Sequence, residues 1–236
     1  MTLLNTHRRA GSAAPLTSAW LAALLLAGTA QAADVNITVT RADGSPAAET
    51  VVVLQPVAAW SPRPLAEPVV VNQKDLRFAP AVVAMPVGST LRLTNQDRYD
   101  HHVRAMAGGP LGNVPPATAF EVRLPAAKSQ PSSTDLKLDN PGTITLGCHI
   151  HGSMRGHVFI SPSPWVGVTD EAGKLTLSGV PAGAADLRLW HPEQLTEQPS
   201  KRLEVGAATA SAQASLNFSP KAKRPAANSG GYQYNY

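Results

Sequence analysis

The chain has 236 residues, of which 20 are Lys or Arg and 16 are Asp or Glu, so its formal net charge is +4. This near balance, without a basic patch interleaved with aromatic residues, argues against a nucleic-acid-binding protein and against a highly charged acidic substrate. The length suits one large or two small domains.

The first 32 residues are predicted to be a cleaved secretory signal peptide. Arg8 and Arg9 precede a short apolar run over 19–28, and an Ala-Gln-Ala sequence ending at Ala32 supplies the small residues of a cleavage site. A membrane-spanning helix needs about 20 apolar residues, more than this run contains. We therefore expect a periplasmic protein without stable membrane insertion. The arginine pair leaves both the general secretory route and the twin-arginine route open.

Short strands dominate the pattern after the signal. Alternating or short apolar runs recur between turns drawn from 21 prolines and 18 glycines, and no window shows a helical stripe. The predicted strands lie at 35–40, 51–54, 69–71, 90–94, 120–124, 143–146, 158–160, 175–177 and 187–189. Many short strands separated by tight turns predict an all-β fold, built as a sandwich or a barrel.

The cysteine count singles out one residue. Cys148 is the only cysteine of the chain, whereas exported proteins usually have none or an even number paired in disulfides. A free thiol in an oxidising compartment is exposed to oxidation. We therefore expect either a buried, inert thiol or a sulfur that binds a ligand.

The loop that contains Cys148 holds an unusual set of donor groups. Cys148, His151 and Met154 lie between two predicted strands, and His101 follows a strand far upstream. One thiolate, two imidazoles and one thioether form a soft ligand set that suits copper as Cu+ and as Cu2+, with the thioether as a weak axial ligand. The predicted metal ligands are therefore His101, Cys148, His151 and Met154, and the predicted cofactor is one copper ion.

Two other interpretations of these residues stay open. Cys148 and Met154 can be ordinary core residues, since free cysteine is among the most buried residue types, but three glycines within 147–156 oppose a shared helical face. Zinc also binds Cys and His. Methionine is a poor zinc ligand, and zinc sites more often add a second Cys, a third His or a carboxylate, so His102, His149 and His157 are the candidates to complete a zinc site.

At these residues the chain resembles a cupredoxin, the blue-copper family of plastocyanin and amicyanin. The resemblance covers 72–162 and rests on the segments 78–80, 87–90, 93–97, 101–103 and 148–156. It implies a Greek-key β-sandwich that transfers electrons through the partly exposed edge of His151. It also implies that His101, which opens the H-x-V motif, is the ligand. The family usually has Asn where this chain has His102, so whether His102 supports or substitutes for His101 stays open.

The segment 39–56, with the turn Asp43-Gly44-Ser45-Pro46, and the segment 168–190 resemble a different fold, the carboxypeptidase-regulatory-like β-sandwich. A cupredoxin inserted into such a sandwich is similar to plastocyanin-like proteins associated with methylamine utilisation. The implied organisation is a signal peptide at 1–32, a discontinuous flanking β-sandwich at 33–66 and 164–206, a cupredoxin domain at 67–163 and a disordered tail at 207–236. The alternative is one cupredoxin with strand extensions.

These inferences favour a periplasmic carrier of single electrons over an enzyme. Four protein ligands fill the coordination sphere and leave no open position for substrate, unlike catalytic metal sites. We expect a monomer that exchanges electrons with redox partner proteins. The alternative is a copper carrier or store that delivers the metal instead of electrons.

Overall fold

The computed structural model describes residues 31–109 and 117–220, so the predicted signal lies almost wholly outside the described residues. Within these ranges the chain forms strands and turns but no helix, and hence nothing helical that is long and apolar enough to cross a bilayer. The strands are β1 (Ala32–Thr40), β2 (Val51–Pro56), β3 (Val69–Lys74), β4 (Arg77–Ala79), β5 (Val82–Pro86), β6 (Thr90–Asn95), β7 (His101–Gly108), β8 (Phe120–Leu124), β9 (Ser132–Lys137), β10 (Gly142–Cys148), β11 (Arg155–Ser161), β12 (Trp165–Val168), β13 (Lys174–Pro181), β14 (Gly183–Trp190), β15 (Lys201–Val205) and β16 (Ala210–Ser215). The prediction of an all-β fold is confirmed.

The strands β3 to β11 form a two-sheet body, which we call the central sandwich. One sheet has the order β5-β11-β10-β7-β8 and the other the order β4-β3-β6-β9. Alternation along β6 shows why these residues form strands, because Leu91 and Leu93 are fully buried while Arg92 between them is not. Leu91 and Leu93 share one core with Ile144 and Val158 of the facing sheet. Each such side chain contributes roughly 1.5–3 kcal/mol through burial.

The strands on either side of this body form a second one, the outer sandwich. Its sheets have the orders β13-β1-β16 and β12-β2-β14-β15. The continuous apolar run of β2 is buried on both faces: Val52 and Leu54 belong to the core of the outer sandwich, while Val51 and Val53 belong to another cluster. Two buried faces explain why this strand shows no polar alternation.

That other cluster joins the two sandwiches. It combines Val51, Val53 and Trp190 of the outer sandwich with Val82 of β5, and the ring of Phe159 in β11 lies 5.6 Å from the ring of Trp190. The outer sandwich therefore covers the β5–β11 side of the central sandwich. The domain boundaries given above stay predictions.

The structure corrects the start of the predicted disordered tail. β16 runs parallel to β1, with Ala210 opposite Val35, and Leu216 just after it is only 1% exposed within the outer core. The prediction of disorder from 207 onward is therefore wrong for this strand. Its inward positions are alanines, which carry too weak a hydrophobic signal to stand out in the sequence. Residues 221–236 lie outside the described residues.

Candidate metal centre

Two neighbouring antiparallel strands bring the first two predicted ligands together. His101 opens β7 and Cys148 ends β10, and the register places Cys148 opposite Val103. Both side chains are buried in the central sandwich, with exposed fractions of 0% and 5%. The backbone N–H of His149 donates to the carbonyl oxygen of His102 at 2.8 Å, which fixes the ends of the two strands side by side.

A tight turn positions the other two predicted ligands. The chain leaves β10 after Cys148, and the N–H of Met154 donates to the carbonyl oxygen of His151 at 3.0 Å, which closes a four-residue turn before β11. Exposed Gly152 and Ser153 form the middle of this turn. Met154 is 1% exposed and belongs to the same core cluster as Cys148. The turn thus holds His151 and Met154 at its two ends, beside the cysteine.

Three donor atoms converge at this point. The Sγ atom of Cys148 lies 3.6 Å from Nδ1 of His101 and 3.5 Å from Nδ1 of His151, and the two nitrogens are 3.2 Å apart. The centre of a triangle with these three sides is about 2.0 Å from each corner, close to a metal–imidazole bond of about 2.0–2.1 Å and slightly shorter than a metal–thiolate bond of about 2.3 Å. Among the described residues, this is the one group of three or more His, Cys, Asp and Glu side chains whose donor atoms all lie within 4.8 Å of one another.

A buried carboxylate determines which nitrogen of His101 faces the other donors. Oδ2 of Asp97 lies 2.9 Å from Nε2 of His101, on the far edge of the ring. Burial raises the pKa of Asp97, but hydrogen bonds from His101 and from the backbone N–H groups of Leu76 and Asp75 outweigh it, and the net pKa is lowered. An ionised carboxylate only accepts hydrogen bonds, so Nε2 carries the proton and Nδ1 presents its lone pair to the centre.

Asn95 fixes the loop that carries Asp97. Its amide group donates to the carbonyl oxygens of Tyr99, Leu124 and Pro125 at 2.8–3.2 Å, and its Oδ1 accepts from the backbone N–H of Asp97 at 2.8 Å. The Asn95 side chain is fully buried and uses both of its polar atoms. The carboxylate beneath His101 is therefore held on a rigid support.

His151 forms the more open side of the group. It is half-buried, and the ring of exposed Tyr99 lies 6.4 Å from its own ring in an edge-on arrangement. Burial, followed by the charge of nearby His101, lowers the pKa of His151. The neutral form, which is the one that binds metal ions, is thus the favoured form at neutral pH.

The structure brings His101, Cys148 and His151 into one group and buries Met154 in the same core. The three histidines that were candidates to complete a zinc site lie elsewhere. The rings of His102 and His149 lie 5.6 Å from each other, and the ring of His157 lies 6.1 Å from that of Trp190. The supporting roles of Asn95 and Asp97 were missed, although both belong to the 93–97 segment of the resemblance.

Comparison with known proteins finds matches among solved structures. No family model and no curated protein matches. Similar structures include an amicyanin from Paracoccus versutus, 22% identical over 41% of this chain and 84% of that one, with a TM-score of 0.32. A copper-containing nitrite reductase from Thermus scotoductus SA-01 is 25% identical over 45% of this chain and 25% of that one (TM-score 0.33). A purple cupredoxin from Nitrosopumilus maritimus is 18% identical over 39% and 98% (TM-score 0.31). Amicyanin and the purple cupredoxin belong to the family that the sequence resembles, and each match covers less than half of this chain.

Proposed function

We propose that this chain is an exported, cupredoxin-like protein that holds one copper ion and carries single electrons between partner proteins in the periplasm. The ligands in this proposal are His101, Cys148, His151 and Met154. The observation that carries it is the triangle of donor atoms from the first three, with sides of 3.2–3.6 Å.

The chemistry of the donor set favours copper over zinc. A thiolate with two neutral imidazoles suits either ion, but the thioether of buried Met154 adds a soft donor that suits copper. Bound copper supplies a one-electron couple between Cu+ and Cu2+. Four protein donors leave no open position at the ion, which favours electron transfer over catalysis.

The support of the donors suits such a role. His101 is hydrogen-bonded to Asp97, Cys148 ends a central strand, and the turn that carries His151 is closed by a backbone hydrogen bond. Donors held this way move little when the charge of the centre changes. The half-buried ring of His151 is the proposed edge for electron entry and exit, because the other three donors are almost fully buried.

The proposal is tested by adding Cu2+ to the purified mature protein and recording its visible spectrum. We expect an intense band from charge transfer between thiolate and copper, which disappears in Cys148→Ala and persists in the control His157→Gln. A colourless protein that prefers zinc would overturn the proposal. A coloured protein that quickly loses Cu+ to a chelator and shows no reversible redox couple would instead indicate delivery of the metal.

A further inference from the structure

A second group of donor side chains lies on the opposite face of the strands that carry the first. His102 follows His101 and His149 follows Cys148, and side chains alternate between the two faces of a strand. The rings of His102 and His149 are 5.6 Å apart and nearly perpendicular. The doublets His101-His102 and Cys148-His149 thus each direct one donor inward and one outward.

A carboxylate completes this outer group. Nε2 of His102 contacts Oε1 of Glu121, which lies on the neighbouring strand β8. The other oxygen of Glu121 is 3.5 Å from Nε of Arg104. Both members of this second pair are about half-exposed, so the pair is weak and easily exchanged. Arg104 therefore orients the Glu121 carboxylate but leaves it able to bind another group.

The outer group is accessible from solvent, in contrast to the buried one. The His102 side chain is 13% exposed, that of Glu121 is 48% exposed, and His149 is exposed on its loop. The hydrogen bond from the N–H of His149 to the carbonyl oxygen of His102 holds the two histidines next to each other. Their donor atoms are less tightly gathered than those of the buried group, so the exposed His149 ring has to turn for all three to reach one ion.

We propose that His102, His149 and Glu121 form a second, exposed binding site for a divalent ion of the Cu2+ or Zn2+ type. Two imidazoles and one carboxylate are ligands that such ions accept, and water can fill the remaining positions. The group has no sulfur donor, so it does not favour Cu+ as the buried group does. An ion bound here lies one residue along the chain from two of the buried donors, His101 and Cys148.

Calorimetric titration of the full mature protein with Zn2+ tests the site. We expect wild type to bind one more zinc ion than His149→Gln or Glu121→Gln. The matched controls His157→Gln and Glu204→Gln, which change a histidine and a carboxylate outside both groups, keep the wild-type number. Equal unfolding midpoints for all variants establish that folding is intact. Equal zinc numbers in wild type and the two site variants, or the same loss in the controls, would overturn the proposal.

A second measurement separates this site from the buried one. In the Cys148→Ala background, Zn2+ is added while the ring signals of the histidines are followed by NMR. We expect the signals of His102 and His149 to shift while that of His191 stays constant. If only His101 and His151 respond, the outer site is refuted, whereas a failure of the buried site to take up copper leaves this result unaffected.

Discussion

At the scale of single residues, removing the hydrogen bond between Asp97 and His101 should weaken copper binding. In Asp97→Asn the neutral amide accepts a hydrogen bond more weakly than the carboxylate and can turn its NH2 group towards Nε2 of His101. The ring then loses its preferred tautomer. We expect copper affinity to fall about 10- to 100-fold, as for other partners of metal-binding histidines. Competition with a Cu+ chelator measures the change.

Asp135 provides the control for this substitution. It forms a 2.7 Å ion pair with Arg92 on the surface, and both side chains are more than 40% exposed. We expect Asp135→Asn to bind copper like wild type, because exposed pairs contribute at most about 1 kcal/mol. If Asp97→Asn also keeps wild-type affinity, then Asp97 does not position His101.

At the scale of elements, β16 should contribute to stability although its sequence only weakly predicts a strand. Leu216, which ends this segment, is 1% exposed in the outer core, whereas Leu195 is 81% exposed. We expect Leu216→Ala to lower the free energy of unfolding by about 2–5 kcal/mol. Leu195→Ala should change it by less than about 0.5 kcal/mol. Urea denaturation measures both, and equal values would mean that the 210–216 segment is not anchored in the core.

β6 and β16 differ in how clearly their sequences predict a strand. In β6 large leucines alternate with polar residues, so the strand and its buried face were readable. In β16 alanines alternate with serine and glutamine, and only the parallel pairing with β1 makes it a strand. The grouping of His101, Cys148 and His151 could be predicted because Cys, His and Met are rarely combined by chance. The contact between Asp97 and His101 could not be predicted, because it depends on how the 96–100 loop folds.

At the scale of the whole molecule, the buried His191 should make stability depend on pH. Its Nδ1 accepts a hydrogen bond from the N–H of Glu193 at 3.1 Å, and its ring lies 5.8 Å from that of Phe218. Burial lowers the pKa of His191 from 6.5, against the opposing charges of Glu193 and Glu49. The stability contributed by the neutral ring is therefore present above pH 6.5 and is lost as the pH falls through the lowered value.

Unfolding midpoints at about pH 7.5 and about pH 5 test this dependence. We expect a smaller decrease on acidification in His191→Asn than in wild type, because the amide oxygen can accept the same hydrogen bond without gaining a charge. Some decrease persists in the variant, since burial also lowers the pKa of His157. An identical decrease in both proteins would show that His191 is not the residue responsible.

The way the chain passes between the two sandwiches has a mechanical consequence. It enters the central sandwich between β2 and β3 and leaves it between β11 and β12, where three residues separate the strands, and the cluster around Trp190 packs against the same side. Two connecting segments and one packed side restrict the rotation of the central sandwich relative to the outer sandwich more than a single linker would. A partner that binds the outer sandwich therefore also sets the direction in which His151 points.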